Sequence, residues 1–572
     1  MSGAQERSEA IAYPGEVRGL NFFEVDRNLI ALLQRRAPRL LKRHGKRLAD
    51  FGAWAGGPLD AQAAYSDRHA PPKLEAFGPR SERLGRVILN PAYEACHQEA
   101  YRRGVVGLAF AEKAPGKAPA PHALSFVMGA LLSGSDISIH CPVTMTGAVA
   151  YVLSRLGAPA LRRDYLPELV RMDGQTKTGG TWATELHGGS DVGATTTRAR
   201  PDGKSWRLSG LKWFTSNAGA GLALATARPR GAPAGGKGLG CYLVPDILPD
   251  GAPNALWVRR LKDKLGTRAL ATGEVELDGA WALEVAGPPL GLKAMMEALE
   301  YSRIHNAVAA CGAHRRAFLE AACWATHRRA FGSAIARYPM VRDTLLDLAM
   351  EQEAGAALAF EAAFAFDAAL ADESRRPWLR TATALAKYRT AEAAVEAARR
   401  ALELVGGNGY TEDWPTARLY RDVMVLSVWE GPGNIQALEL LRMVLGRGTG
   451  GEAFLERVHG IEAALPAALA EEAAILGAAR AECAEALAYL RGREREGPRH
   501  ARHLMDLMAD TLSAALLLEE AAADLKAGDG RKTLIARRYL AARFGGRAPI
   551  SSKRDPAQSA FAQVIGYAAV EV

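Results

Sequence analysis

Between residues 179 and 285 the hydrophobic pattern of this chain changes its period. On either side, apolar residues recur every three or four positions, as in "FFEVDRNLIALLQRRAPRLLKRHGKRLADFG" and "VRDTLLDLAMEQEAGAALAFEAAFAFDAALAD". Within the block, runs such as "SWRLSGLKWFTSN", "LGCYLVPD", "ALWVRRL" and "TGEVELDGA" are short, partly alternating, and broken by Gly, Pro and Asp. A helical period does not settle as a strand, nor a strand period as a helix. The pattern therefore predicts an α+β multidomain protein. Residues 1–178 are expected to form an N-terminal helical domain and 179–285 a central antiparallel β-barrel or sandwich. Residues 286–446, alanine-rich and periodic, read as a four-helix bundle, and 447–572 as an extra C-terminal helical domain entered through the glycines of "GRGTGGE".

The length, 572 residues, already calls for several cores. With 48% hydrophobic and 24% charged residues the composition is that of a globular protein. No uninterrupted run of eighteen apolar residues occurs, so no membrane span is expected. The N-terminal "MSGAQERSEAIAYPGEVRG" lacks an apolar signal core, which points to a cytoplasmic protein. Six cysteines without a C-x-x-C pair read as buried free thiols, and the twelve histidines show no ligand spacing, so no metal is expected.

Neither a G-x-G-x-x-G between strand and helix nor a G-x-x-x-x-G-K-[ST] is present, which disfavours a dinucleotide on a doubly wound sheet and a P-loop. Three stretches carry candidate chemistry. "TGGTWATELHGGSDVGATTTR" (178–198) is either a donor-rich cradle for an anionic or polar ring system or an ordinary polar turn. "LKWFTSNA" (211–218) sets two aromatics beside hydroxyl and amide donors, suiting a flat heteroaromatic group or a barrel core. "MVLSVWEGPGNIQALELL" (424–441) places Glu430 where an apolar run meets a glycine turn and a helix. That carboxylate is either a general base raised by burial or a helix-start Glu facing the dipole.

Taken in order, "T-E-x-x-G-G-S-D", "K-W-F-T-S-N", "K-L-G-T-R", "R-R-A-F-G", "V-G-G-N-G-Y…R-x-x-R-D" and "W-E-G-x-x-N-I-Q" resemble the successive motifs of the acyl-CoA dehydrogenase superfamily. "CPVTMTGA" (141–148), "LKDKLG" (261–266) and the extra C-terminal segment resemble its AidB-like subfamily, associated with the adaptive response to alkylation. The resemblance implies an FAD flavoprotein and homotetramer with an acyl-CoA-like substrate and an electron-transfer acceptor. It places Trp182, Thr184, Ser190, Phe214, Thr215, Ser216, Trp429, Gly431 and Asn434 at cofactor-binding positions. Arg328, Phe331, Gly406 and Gly407 match positions that reach a neighbouring subunit's FAD. Glu430 matches the catalytic base, which removes an α-proton while hydride passes to flavin N5. Pro432, Pro339 and Glu403 depart from the usual Thr, Gln and Gln.

The subfamily resemblance also implies an alternative role, a flavin-containing double-stranded DNA-binding protein with little dehydrogenase turnover. The net charge is +9, yet residues 447–572 hold as many acidic as basic residues. Between Asp529 and Asp555 the charges are all basic, and Arg531, Lys532, Arg537, Arg538, Arg543 and Arg547 are the candidate phosphate contacts.

Overall fold

A computed structural model of the chain describes residues 13–110, 119–446, 449–493, 495–546 and 555–571. They form two compact units, one of Met1–Gly57 with Asn306–Val572, the other Pro58–His305. The predicted N-terminal domain is thus divided, and the bundle and extra C-terminal helices fold as one body.

The second unit begins with α3 (Asp60–Arg68) and an antiparallel hairpin, β1 (Lys73–Phe77) and β2 (Arg83–Ile88). This strand pair lies in a region read as helical. Its short alternating stretch pairs across the turn at Gly78–Glu82, and the Arg83 guanidinium sits 4.3 Å over the Trp257 ring. Helices α4 (Pro91–Arg102), α5 (His122–Ser133), α6 (Ile137–Leu156) and α7 (Pro159–Leu169) follow. The α6 start is set by Asp136, whose carboxylate accepts from the amides of Ser138 (2.7 Å) and Ile139 (3.2 Å). Pro142 inside α6 cannot donate to the Ser138 carbonyl, and Tyr93 Oη donates to that carbonyl instead, at 3.2 Å. Thr146 of the "CPVTMTGA" segment donates to Pro142 O (2.7 Å) and accepts from Gly179 N (2.8 Å), tying α6 to the first strand of the central sheet.

That sheet contains β3 (Gly179–Trp182), β4 (Arg198–Asp202), β5 (Ser205–Ser216), β6 (Leu222–Pro229), β7 (Gly240–Pro245), β8 (Leu256–Leu261) and β9 (Thr272–Ala286). The strand order β3-β6-β4-β5-β9-β7 closes on itself through a β6–β7 pairing. It is mixed rather than antiparallel throughout: β3 and β4 both run parallel to β6. Trp182, Leu208, Tyr242, Val244, Val275 and Leu277 fill its interior.

Helix α8 (Gly291–His327) leads to a two-residue hairpin, β10 (Arg329–Ala330) and β11 (Ser333–Ala334). In the first unit, α9 (Pro339–Ala371), α10 (Arg376–Val405), α11 (Pro415–Val423) and α12 (Gly433–Leu445) pack with α13 (Gly450–Ala463), α14 (Ala470–Leu490), α15 (Gly497–Leu525) and α16 (Arg531–Phe544). The N-terminal α1 (Arg27–Arg36) and α2 (Pro38–Trp54) belong to the same unit. Alanines crowd the α9 and α10 faces, among them Ala354, Ala357, Ala382 and Ala386, because small side chains favour helix and let backbones approach. Pro339 and Pro432 both occupy helix starts, where a missing N–H is tolerated. Two helices, α6 and α9, are long and apolar enough by composition to cross a membrane, although no apolar run is continuous; both are mostly buried within the protein. All six cysteines are free, five of them buried.

Candidate functional site

In the second unit the two predicted cofactor segments are joined by a buried ion pair. Glu185, which follows Thr184, accepts from Lys212 Nζ at 2.8 Å and from the amides and hydroxyls of Thr196 and Thr197 at 2.5–3.1 Å. Burial opposes the charge, but Lys212 and the threonine donors outweigh it and hold the carboxyl down at about 2. Lys212 is itself fully buried, and burial lowers its pKa against the pull of Glu185.

Immediately after Lys212 the β5–β9 register slips by one residue: Lys212 pairs with Val275 and Thr215 with Gly273. Such a bulge turns two successive side chains to the same face. Lys212 and Thr215 point inward, while Trp213 and Phe214 lie on the outer face, Phe214 at 56% exposure. Lys262 Nζ sits 3.3 Å over the Trp213 ring and fixes it. The Trp213 amide donates to Thr184 O at 2.9 Å, so the half-buried Thr184 and the bulge share one backbone. Ser190 is exposed, and Ser216 Oγ is 3.2 Å from Thr272 Oγ1.

Two of the predicted contacts are corrected here. Trp182 is 1% exposed within the sheet interior, over Gly180, so its ring is core. Thr215 turns its hydroxyl inward onto Gly273 O at 2.7 Å, a consequence of the bulge.

In the first unit Glu430 has φ 57° and is followed by Gly431 at φ 97°. A non-glycine residue in the left-handed region costs about 1–3 kcal/mol and persists only where its surroundings impose it. Here they do. Gln436 Nε2 donates to Glu430 O (2.8 Å) and Gly431 O (3.2 Å), and Lys387 Nζ donates to Gly431 O at 2.7 Å. Trp429 donates its indole N–H to Asn306 Oδ1, and Asn306 Nδ2 donates to Leu426 O at 3.1 Å. The Glu430 side chain is half-buried, and Asn434 is exposed on the first turn of α12.

Elsewhere in that unit, Arg328 is exposed and Phe331 is 96% exposed at a hairpin tip, with φ 49°. Tyr338 Oη supports the tip by donating to the Ala330 and Phe331 carbonyls, at 2.7 and 3.0 Å. Gly406 has φ 77° and ends α10, and nothing lies within 4 Å of where a Cβ on Gly406 or Gly407 would stand. In the second unit the hydroxyls at Thr184, Ser190 and Ser216 and the outward aromatic at Phe214 are donor chemistry that fits the ring and phosphates of the implied FAD. In the first unit, taken by itself, an exposed arginine and an open glycine turn are of the kind that meets a phosphate.

The basic residues of α16 do not form a free phosphate-contacting face. Arg531 and Lys532 are buried on Glu353, and Lys532 also pairs with Glu520 at 2.9 Å. Burial would raise the Glu353 carboxyl, but Arg531 and Lys532 hold it down at about 2. Arg537 pairs with Glu472 (2.6 Å), Arg538 with Asp347 (2.7 Å), Asp343 and Asp555, and Arg543 with Glu351 and Asp510. Arg547 lies outside the described residues. Apart from Asp555, the acidic partners come from α9, α14 and α15, distant in sequence, which is why the run looked uncompensated. Sequence reasoning assigned no role to Lys387, Gln436, Asn306 or the Glu185–Lys212 pair, although Glu185, Lys212 and Gln436 stand in the quoted motifs and Lys387 is a lone lysine in the alanine-rich "TATALAKYRTAEAA".

Comparison with known proteins matches three family descriptions along the chain. These are the adaptive response protein AidB N-terminal domain over residues 13–173, the acyl-CoA dehydrogenase middle domain over 180–280, and the acyl-CoA dehydrogenase C-terminal domain over 290–445. Escherichia coli (strain K12) AidB is 35% identical over 427 residues, covering 72% of this chain and 76% of that protein. The crystal structure of Caenorhabditis elegans ACDH-11 in complex with C11-CoA matches with a TM-score of 0.85 at 26% identity, covering 95% of this chain and 93% of that one. The structure of the Bd2924 apo-form matches with a TM-score of 0.78 at 29% identity, covering 89% and 99%.

Proposed function

Because this chain belongs to the acyl-CoA dehydrogenase family, with an AidB-type N-terminal domain, we propose that it is an FAD-dependent oxidoreductase acting on an acyl-CoA thioester. The observation that carries the reading is Glu430, held at an unfavourable φ by buried donors on the two carbonyls of its turn. Strain of this kind is concentrated where a side chain must be aimed.

FAD, when bound, accepts the hydride lost from the substrate β-carbon. This chain's residues do the rest. Glu430 takes the α-proton on its carboxylate. Phe214 and the Trp213 ring, fixed by Lys262, offer an aromatic face, while Thr184, Ser190 and Ser216 offer hydroxyls to the ring edge and phosphates. Arg328, Phe331, Gly406 and Gly407 face outward in one protomer, which supports contact with the cofactor of a second copy in a homotetramer. An electron-transfer protein would serve as the acceptor of the electrons lost by the substrate. The test is anaerobic bleaching of the purified holoprotein by a panel of saturated acyl-CoAs. Glu430→Gln should abolish bleaching and leave the oxidised flavin spectrum in place; an unchanged rate in that variant would move the base elsewhere.

A second reading, binding of double-stranded DNA, is supported among the described residues by a surface other than the expected one. On α2, Arg39, Lys42, Arg43 and Lys46 are exposed at helical spacing on one face and form no ion pair among the described residues. No acidic residue lies between Asp26 and Asp50. Four phosphate contacts would weaken binding about 10²-fold between 50 and 200 mM salt. Fluorescence anisotropy with a labelled duplex at those two concentrations, with and without charge reversal of the four residues, tests it. Retention equal in the two proteins rejects this face.

A further inference from the structure

Lys387 is 1% exposed on a helix face otherwise lined by Ala384, Leu385, Ala386 and Ala391. A buried ammonium in such a place needs partners, and the Gly431 carbonyl at 2.7 Å is one of them. Gln436, fully buried, secures the preceding carbonyl. The Glu430–Gly431 turn therefore hangs from two buried side chains, one on α10 and one on α12.

The neighbours of Lys387 on α10 engage the extra C-terminal segment. Tyr388 Oη donates to Asp506 Oδ1 at 2.6 Å, and Arg389 pairs with Asp510 at 2.6 Å. Both acids lie on α15. From the same helix Arg502 places its guanidinium carbon 4.6 Å over the Tyr388 ring and against Gly433, where any Cβ would collide with it. Gly433 opens α12, two residues after the turn. Three consecutive residues of α10 thus hold the Glu430 turn on one side and α15 on the other, and Arg502 closes the circuit from behind.

We propose that α15 is a brace for the turn that carries Glu430, with Lys387 and Arg502 as positioning residues that set where its carboxylate points. The proposal rests on the reading of Glu430 as the base. It gives the extra C-terminal helices a role in the chemistry.

The experiment uses the full-length holoprotein and reads two quantities. One is hydrogen exchange of the amides in the 424–440 peptide. The other is kcat and KM with the acyl-CoA that bleaches the flavin fastest. Lys387→Met and Arg502→Met should each raise exchange in that peptide at least tenfold, with the α14 peptides unchanged. Both should lower kcat at least tenfold with KM within twofold. Lys387→Arg should restore part of both, and Arg499→Ala, an exposed neighbour, should change neither. Should Lys387→Met fail to fold, Gly433→Ala, which displaces Arg502, takes its place. Wild-type exchange, or faster exchange with unchanged kcat, overturns the brace. Turnover retained by Glu430→Gln overturns the base instead, and the exchange result still reports whether the turn is braced.

Discussion

Replacing Lys212 by Met leaves Glu185 in the sheet interior with its hydroxyl and amide donors and no cation. The pair is dry, at 0% and 2% side-chain exposure. Removing one member of a buried pair costs about 3–5 kcal/mol, because an uncompensated charge remains. An independent figure comes from the carboxyl. Its pKa of about 2 lies below the ordinary 4.5, and each unit is worth about 1.4 kcal/mol, or about 3.5 kcal/mol in all, to which the threonine donors contribute beside Lys212. A carboxylate with a depressed folded pKa contributes stability above its unfolded pKa and loses it as pH falls through the folded value. In the variant the main depressing cause is gone and burial pushes the carboxyl up. The deficit should be largest at neutral pH and begin to shrink already above pH 4.5, where the raised Glu185 carboxyl takes a proton in the folded variant. Urea unfolding followed by the fluorescence of the buried sheet tryptophans provides the assay. Lys212→Met with Glu185→Gln should recover at least half of the loss, since the orphaned charge is gone. If the two single losses simply add, within about 0.5 kcal/mol, the residues are not coupled and the argument fails.

Three further outcomes are expected. His140, 3.3 Å from His305, is held neutral by burial with a pKa of about 3, so the unfolded chain binds protons that the folded chain refuses between pH 6.5 and 3. Stability should therefore fall on acidification, and His140→Gln should remove about 2 kcal/mol of the drop from pH 7 to pH 5 in urea titrations. Arg531→Gln should cost about 1.5–3 kcal/mol by removing the charged hydrogen bonds to Glu353, which keeps Lys532 as its cation, with no change in duplex retention at fixed salt. Phe331→Asp should lower the assembly state in sedimentation velocity while moving the melting temperature of the isolated protomer by no more than about 2 °C, since a ring 96% exposed contributes nothing to its own core.

Sequence alone carried the broad order of helical and strand regions here, though not the β1–β2 hairpin within the first of them. Helical and strand periods, the glycine breaks and the alanine bias are local properties, and local sterics translate them directly into helices and strands. Glu430, Phe214, Thr184, Arg328 and Gly406 were marked by the resemblance of short motifs to a family, not by local sterics. Where the reading went astray, the deciding partner was remote. Thr215 turned inward because a one-residue register slip on β5 is set by β9, some sixty positions on, and Trp182 is enclosed by an interior that strands distant in sequence build together. The basic run of α16 was neutralised by carboxylates on α9, α14 and α15.

The chain by itself thus determined which segments coil, which extend, and which residues could do chemistry. Tertiary structure decided which charges remain available and which side chains are aimed. Burying a charge or holding a left-handed backbone is tolerable only when partners far along the chain are brought within hydrogen-bond reach.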